Sequence, residues 1–290
     1  MGGEDVNPGR KIMLANGLSD YRSPEKAVTV LKAMCDYADW KAMPESKSER
    51  YEVDKTKVSE IISRYRKDNL VQINECDAKA ILQAYGIKTP AGALVKNARE
   101  AESQSSKIGF PLVMKIVSPD IIHKSDVGGV ALNLKNEKDV VDAYTNMMQK
   151  INKAVPGARI TGVYIEKMSS GEGKETIIGV TRDPQFGPMV MFGLGGIFVE
   201  LLKDVTFALA PVNKTDALDM IKSIKTFALL NGYRGQPKID VDKLAEMISR
   251  VSQLAADFPE IKELDINPFK ACEQAESSMA LDGRITLTKV

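Results

Sequence analysis

The residues able to do chemistry crowd into one stretch, Ile108 to Val130, IGFPLVMKIVSPDIIHKSDVGGV, which holds the only histidine of the 290 residues. Leu112 to Val117 read as a buried strand with Lys115 inside it, and a charge so placed needs a partner of opposite sign. An anionic group is therefore expected beside Lys115. The loop that follows carries Pro119, Asp120, His123, Lys124, Ser125, Asp126, Gly128 and Gly129, too much chemistry for a mere connector, before the chain resumes as the strand VALNL. A strand lysine, a glycine-closed polar loop and a second strand are one way to hold polyphosphate, with backbone N–H groups and an ammonium facing the same oxygens. A neutral imidazole is also a competent nucleophile near pH 7, and a carboxylate on its other nitrogen would fix the tautomer. Asp120 and Asp126 are nearby acids. The plainer readings are an ordinary loop histidine, a lysine snorkelling from a strand edge and a tight Gly-Gly turn.

Two further groups stand apart in sequence. Asp265 and Asn267, two apart in IKELDINPF, project to one face of a strand, and Asp282 is placed on the strand after it. Oxygen ligands from adjacent strands suit Mg²⁺, which takes one or two protein ligands and leaves the rest to phosphate and water. The competing reading has Asn267 capping the turn before Pro268. Glu166 and Glu175 flank SSGEGK, where a strand end and a loop could offer backbone groups to a base and a carboxylate to a ribose. Two solvated glutamates in a hairpin are the plainer alternative.

The elements that must position these groups follow from patterning. Ser23-Pro24 starts a helix that runs to about Trp40, and the short apolar piece Ile12–Leu14 before it reads as the strand of a strand-loop-helix unit. KAMPESKSERYEVDKT reads as a linker, with a helix from Lys57 to Lys67 after it. Asn74 caps a helix stopped by Gly86; TPAGALVK is a short strand; helices follow at NAREAESQSSKIG and from Asn136 to about Ala154. GVYIEKM is a strand, KETIIGVTRD and FGPMVMFGLGG form an antiparallel pair around Asp183-Pro184, and Phe207 to Val212 is another strand. Helices at 213–230 and 240–257 precede the terminal strands. Strands in pairs with helices between them argue α+β rather than a parallel doubly wound sheet.

Composition narrows the class. Charged residues make up 27% and apolar ones 43%, and the net charge of +1 leaves no basic face for nucleic acid. No apolar run reaches membrane-spanning length and MGGEDVNPGR is no signal peptide, so neither a membrane nor export is expected. Three widely spaced cysteines and one histidine argue against a disulfide scaffold or structural zinc, and point to a reducing cytoplasm.

Residues from about 70 to 290 resemble the nucleotide-binding β part of ADP-forming acyl-CoA synthetases, relatives of succinyl-CoA synthetase with an ATP-grasp fold. The stretches that carry the resemblance are GFPLVMKIVSPDIIHKSDVGGV, VYIEKMSSGEGKETIIGVTRDPQFGPMVMFGLGGIFVEL, LLNGYRG and ELDINPF followed by ALDGRI. GGEDVNPGR...GLSDYRSPEKAV looks like the tail of the flavodoxin-like CoA-ligase domain of fused members. The resemblance thus implies a remnant of that domain over 1–45, a linker with a helix over 46–69 and the ATP-grasp domain over 70–290. It implies that Lys115 binds nucleotide phosphates, that Glu166, Lys167, Met168 and Ser169 form the adenine hinge, and that Glu175 holds the ribose. Asn267 and Asp282 would ligate Mg²⁺, His123 would carry a phosphoryl group, and Asp265 would be an acid near that group. The implied reaction is acid, ATP and CoA to acyl-CoA, ADP and phosphate through phosphohistidine, with ATP/ADP and Mg²⁺ bound here. CoA and a small carboxylic acid would be bound by an α part, absent from this chain, in a homo- or hetero-oligomer; without that part no turnover is expected. Another ATP-grasp carboxylate ligase, or a nucleotide-binding regulatory module, are the alternatives.

Overall fold

Asparagine or aspartate opens six helices of the computed structural model, which describes residues 6–21, 23–42, 50–121, 124–169 and 171–289. In each, the cap side chain accepts the N–H three residues on: Asp54, Asn74, Asn97, Asn136, Asn213 and Asp240. Each satisfies a donor that the first turn would otherwise leave unpaired.

The chain divides into two compact units, Met1–Lys47 and Ser48–Val290. The first contains α1 (Asn7–Ala15) and α2 (Pro24–Ala42), neither of which buries a residue. The strand expected at Ile12–Leu14 is thus part of a helix. Pro8 favours a first helical turn, and a lone strand without a neighbour to pair with has little to hold it extended.

The second unit runs through α3 (Lys55–Lys67), β1 (Gln72–Ile73), α4 (Glu75–Ala84), β2 (Gly92–Val95), α5 (Ala98–Ile108), β3 (Leu112–Val117), β4 (Val130–Leu134), α6 (Glu137–Ala154) and β5 (Gly162–Lys167). It continues with β6 (Lys174–Asp183), β7 (Gly187–Leu194), α7 (Ile197–Leu202), β8 (Val205–Leu209), α8 (Lys214–Ser223), α9 (Phe227–Leu230), α10 (Val241–Asp257), β9 (Ile261–Ala271), β10 (Met279–Ala280) and β11 (Arg284–Leu287). The α3 segment, read as part of a linker, belongs to this unit: Val58, Ile61, Ile62 and Tyr65 are buried in its larger core.

Two antiparallel sheets form two α+β lobes. The small sheet has the order β2-β5-β3-β4 and packs under α5 and α6, while the large one has the order β1-β11-β9-β6-β7-β8, with β10 beside β9. The expected pair of β6 and β7 is present, from Thr176 opposite Leu194 to Asp183 opposite Gly187. The plainer alternative for SSGEGK, a hairpin, does not hold: the flanking strands β5 and β6 lie in different sheets. Among the described residues no helix is long and apolar enough to cross a membrane.

Candidate functional site

Alternation along β3 decides where Lys115 points. Leu112, Met114 and Ile116 are fully buried against the helices of the small lobe, so Val113, Lys115 and Val117 face the other way. Register adds to that face, because Lys115 is opposite Tyr164 and Val113 opposite Glu166 on β5. Gly92 on β2 leaves room for this arrangement: a Cβ there would lie 2.6 Å from the Tyr164 hydroxyl.

The anionic partners expected beside Lys115 come from the chain itself. Its ammonium lies 2.8 Å from Glu75 Oε1 and 2.8 Å from Glu166 Oε1. Lys79, one turn beyond Glu75 on α4, is 3.0 Å from Glu75 Oε1 and also pairs with Glu166 Oε2. Two lysines and two glutamates thus alternate in a closed ring, and Lys124 pairs with the remaining Glu75 oxygen. Glu75, Lys79 and Glu166 are buried, and Lys79 also stands 5.1 Å from the Tyr164 ring centroid. The ring joins α4, which packs with the large lobe, to the small sheet.

Burial would push the Glu75 carboxyl up, but the charges of Lys115, Lys79 and Lys124 outweigh it and hold the group well below the usual carboxylate range. Lys115 is shifted the opposite way: burial lowers it, and Glu75 and Glu166 more than reverse that. A carboxyl depressed in the folded state contributes stability that is complete above its unfolded value and lost as pH falls through the folded one. Glu75→Gln is therefore expected to cost about 2–4 kcal/mol near pH 7. That difference from wild type should shrink as pH falls below about 4.3, the ordinary glutamate value. Urea melts across pH 3–7 check this, and a constant difference would refute it.

Leu281 touches both Lys115 and the β9 segment at Pro268. Its carbonyl oxygen is 3.4 Å from Lys115 Nζ and its N–H donates to Pro268 O at 3.0 Å. The Asn267-Pro268 and Leu281-Asp282 segments are thereby brought side by side, next to Lys115. Asp282 lies in the connection between β10 and β11 rather than on a strand, its Oδ1 accepting the Gly283 N–H at 2.8 Å. Asp265 and Asn267 alternate with the buried Leu264 and Ile266 on β9, half-buried and exposed respectively. Pro268 has no N–H for the ladder, and the register slips there: Thr176 faces Phe269 whereas Ile178 faces Ile266. Burial raises the Asp265 carboxyl, Arg284 opposes this and Asp282 adds to it.

The remaining expected residues are more scattered. Glu166, expected at an adenine hinge, has its carboxylate buried in the ionic ring and not solvated. The Lys167 N–H donates to Ala91 O at 2.8 Å and the Met168 N–H to Pro111 O at 3.0 Å, so both are engaged within the small lobe. Ser169 Oγ accepts from Lys270 Nζ at 3.2 Å. Glu175 is exposed at the start of β6 and lines a cavity of about 410 Å³ with Leu194, Gly195, Gly196 and Gln236. Asp120 is held by Arg159, with contacts from 2.7 Å. His123 lies outside the described residues. The described residues after it, from Lys124, meet β3 through Gly128, at φ +71°, and Gly129, whose Cβ would come within 2.5 Å of Ile116 Cγ2. The Gly129 carbonyl instead accepts the Ile116 N–H at 2.8 Å.

Sequence reasoning missed Glu75 and Lys79. A signal was present: both fall with Ala78 and Leu82 on the i, i+3, i+4, i+7 stripe of α4, where a surface ion pair does not belong.

The family profile of the ATP-grasp domain matches residues 64–287. The chain is 44% identical over 287 residues to a 4-hydroxybutyrate–CoA ligase (ADP-forming) of Nitrosopumilus maritimus, covering 99% of this chain and 41% of that protein. It is 48% identical over 231 residues to the β subunit of acetate–CoA ligase (ADP-forming) I of Pyrococcus furiosus, covering 80% of this chain and 98% of that subunit. A structure of acetyl-coenzyme A synthetase 1 of Ca. Korarchaeum cryptofilum contains coenzyme A and Mg-AMPPCP, with its phosphohistidine segment pointing towards the nucleotide-binding site. It superposes with a TM-score of 0.70 at 38% identity, over 79% of this chain and 99% of that one.

The ATP-grasp domain profile covers most of the chain, whose second unit is built of two antiparallel sheets, and the chain belongs to that family. Within it, the chain is β-subunit-like and belongs with the ATP-grasp parts of the ADP-forming acyl-CoA synthetase family, distantly related to the succinate–CoA ligase β subunit. It spans about two fifths of the longer relatives it matches.

Proposed function

We propose that this chain binds ADP or ATP between its lobes and carries a phosphoryl group between His123 and the nucleotide, within an enzyme that interconverts acid, ATP and CoA with acyl-CoA, ADP and phosphate. The observation that carries the reading is the meeting of Lys115, Asn267-Pro268 and Leu281-Asp282. Phosphoryl transfer depends mainly on positioning and charge neutralisation, and an ammonium beside two oxygen ligands supplies both.

Lys115 would contact the phosphate oxygens of the nucleotide. Asn267 and Asp282 would hold Mg²⁺, since both offer oxygen and lie on neighbouring segments. The ion's chemistry there is neutralisation of phosphate charge. Glu175, beside its cavity, would face the ribose, and the segment from Glu166 to Ser169 would pass along the base. Towards ATP, the P–N bond of phospho-His123 breaks, the imidazole nitrogen recovers its electron pair, and an ADP β-phosphate oxygen forms the new P–O bond. Asp265, carried high by burial, would act near that nitrogen or near the transferred group. The phosphohistidine segment reported to point towards nucleotide in the Korarchaeum synthetase supports this role for His123. The CoA and the acid would bind to an α part, as expected for a β subunit.

Metal dependence tests the reading. Asp282→Ala is expected to weaken ADP binding about tenfold in Mg²⁺ and less than twofold in EDTA, because the lost interaction runs through the ion. Calorimetric titration under both conditions checks this, and equal losses would make Asp282 a structural residue.

A further inference from the structure

Lys115 has three N–H donors, and each has an acceptor: Glu75 Oε1 at 2.8 Å, Glu166 Oε1 at 2.8 Å and, at a longer 3.4 Å, the Leu281 carbonyl. The first two are charge-assisted and short; the third is the weakest and the one a phosphate oxygen can replace. A lysine side chain has four rotatable carbons and does not hold one direction unaided. Something must aim this one.

We propose that Glu75 is a positioning residue for phosphate: with Glu166 it takes two donors of Lys115 and leaves the third directed at the Leu281-Asp282 segment, where a nucleoside diphosphate would present its terminal phosphate. The proposal rests on the phosphate role of Lys115 argued above. Glu75 reaches further than Lys115, because its other oxygen holds Lys124, the neighbour of His123 in sequence. One buried carboxylate thus sets two ammoniums, from β3 and from the loop after it, on one side of the site. Lys79 supplies the balancing charge; three lysines against two glutamates leave the cluster at +1. An anion site that is already paired internally, with a single positive charge in excess, attracts phosphate without leaving a bare buried charge when empty.

Positioning and mere bracing of the lobes predict different losses. Glu75→Gln is expected to weaken Mg-ADP binding about tenfold while changing adenosine binding, followed by NMR titration, less than twofold. In a Lys115→Met background the same substitution should cost nothing further for Mg-ADP, since its effect runs through that ammonium. The double variant Glu75→Gln, Lys79→Met removes one charge of each sign, keeps the cluster at +1, and should show the same selective loss with a melting temperature nearer wild type. Equal weakening of ADP and adenosine, no weakening of either, or failure of both variants to fold would overturn the proposal and make Glu75 a residue of the fold. Wild-type protein that binds no Mg-ADP would instead bring down the nucleotide reading itself, and this inference with it.

Discussion

Replacement of His123 by alanine is expected to abolish ATP formation in the assembled enzyme, by at least about a thousandfold, while leaving ADP binding within about twofold. A phosphoryl carrier cannot be replaced by a methyl group, because no other side chain at that place offers a nitrogen lone pair at neutral pH. The α part should still form its own phosphohistidine from acyl-CoA and phosphate, so that label accumulates there and goes no further. Stability unchanged to within about 0.5 kcal/mol would separate lost chemistry from lost fold. The measurement is ATP synthesis from acyl-CoA, ADP and labelled phosphate, with melting curves alongside. ATP formed by the variant at near wild-type rate would mean that phosphate passes directly to ADP, and His123 would be an ordinary loop residue.

Lys115→Met should have the second largest effect, and on two properties at once. Removing one partner from a buried ion cluster leaves Glu75 and Glu166 with less compensation, at a cost of about 3 kcal/mol. Lys79 and Lys124 remain to limit it. Mg-ADP binding, measured well below the lowered melting temperature, should fall about a hundredfold, because the charge facing the phosphates is gone. Adenosine binding should be nearly unchanged. Loss of stability with intact Mg-ADP affinity would show that Lys115 serves only the ionic ring.

The two effects would coincide at Lys115 because it closes the ionic ring with Glu75 and Glu166 and directs its third donor at the Leu281 carbonyl. This is where local and tertiary information part. A lysine within LVMKIV announces that a counter-charge must exist, since burial of an unpaired ammonium is too costly. It does not say whose. The partners lie 40 and 51 residues away in sequence, on α4 and β5.

Much was nonetheless legible in the chain alone. Asparagine caps, the stop at Gly86, the apolar run of β3 and the turn at Asp183-Pro184 are short-range devices, each decided by a few neighbouring residues, and the helices and strands follow them. So was the shared face of Asp265 and Asn267, which needs only the period of a strand. Tertiary structure alone decided the rest. SSGEGK reads as a hairpin locally, yet its two strands pair in different sheets because β5 finds β3 and β2 while β6 finds β7 and β9. Ile12–Leu14 reads as a strand, yet lies in a helix. The plainer alternative for Glu166, a solvated glutamate, fails because two lysines enclose it. Hydrogen-bond partners of a strand and counter-ions of a buried charge are non-local, and a pattern read along one segment carries no information about which distant segment will supply them.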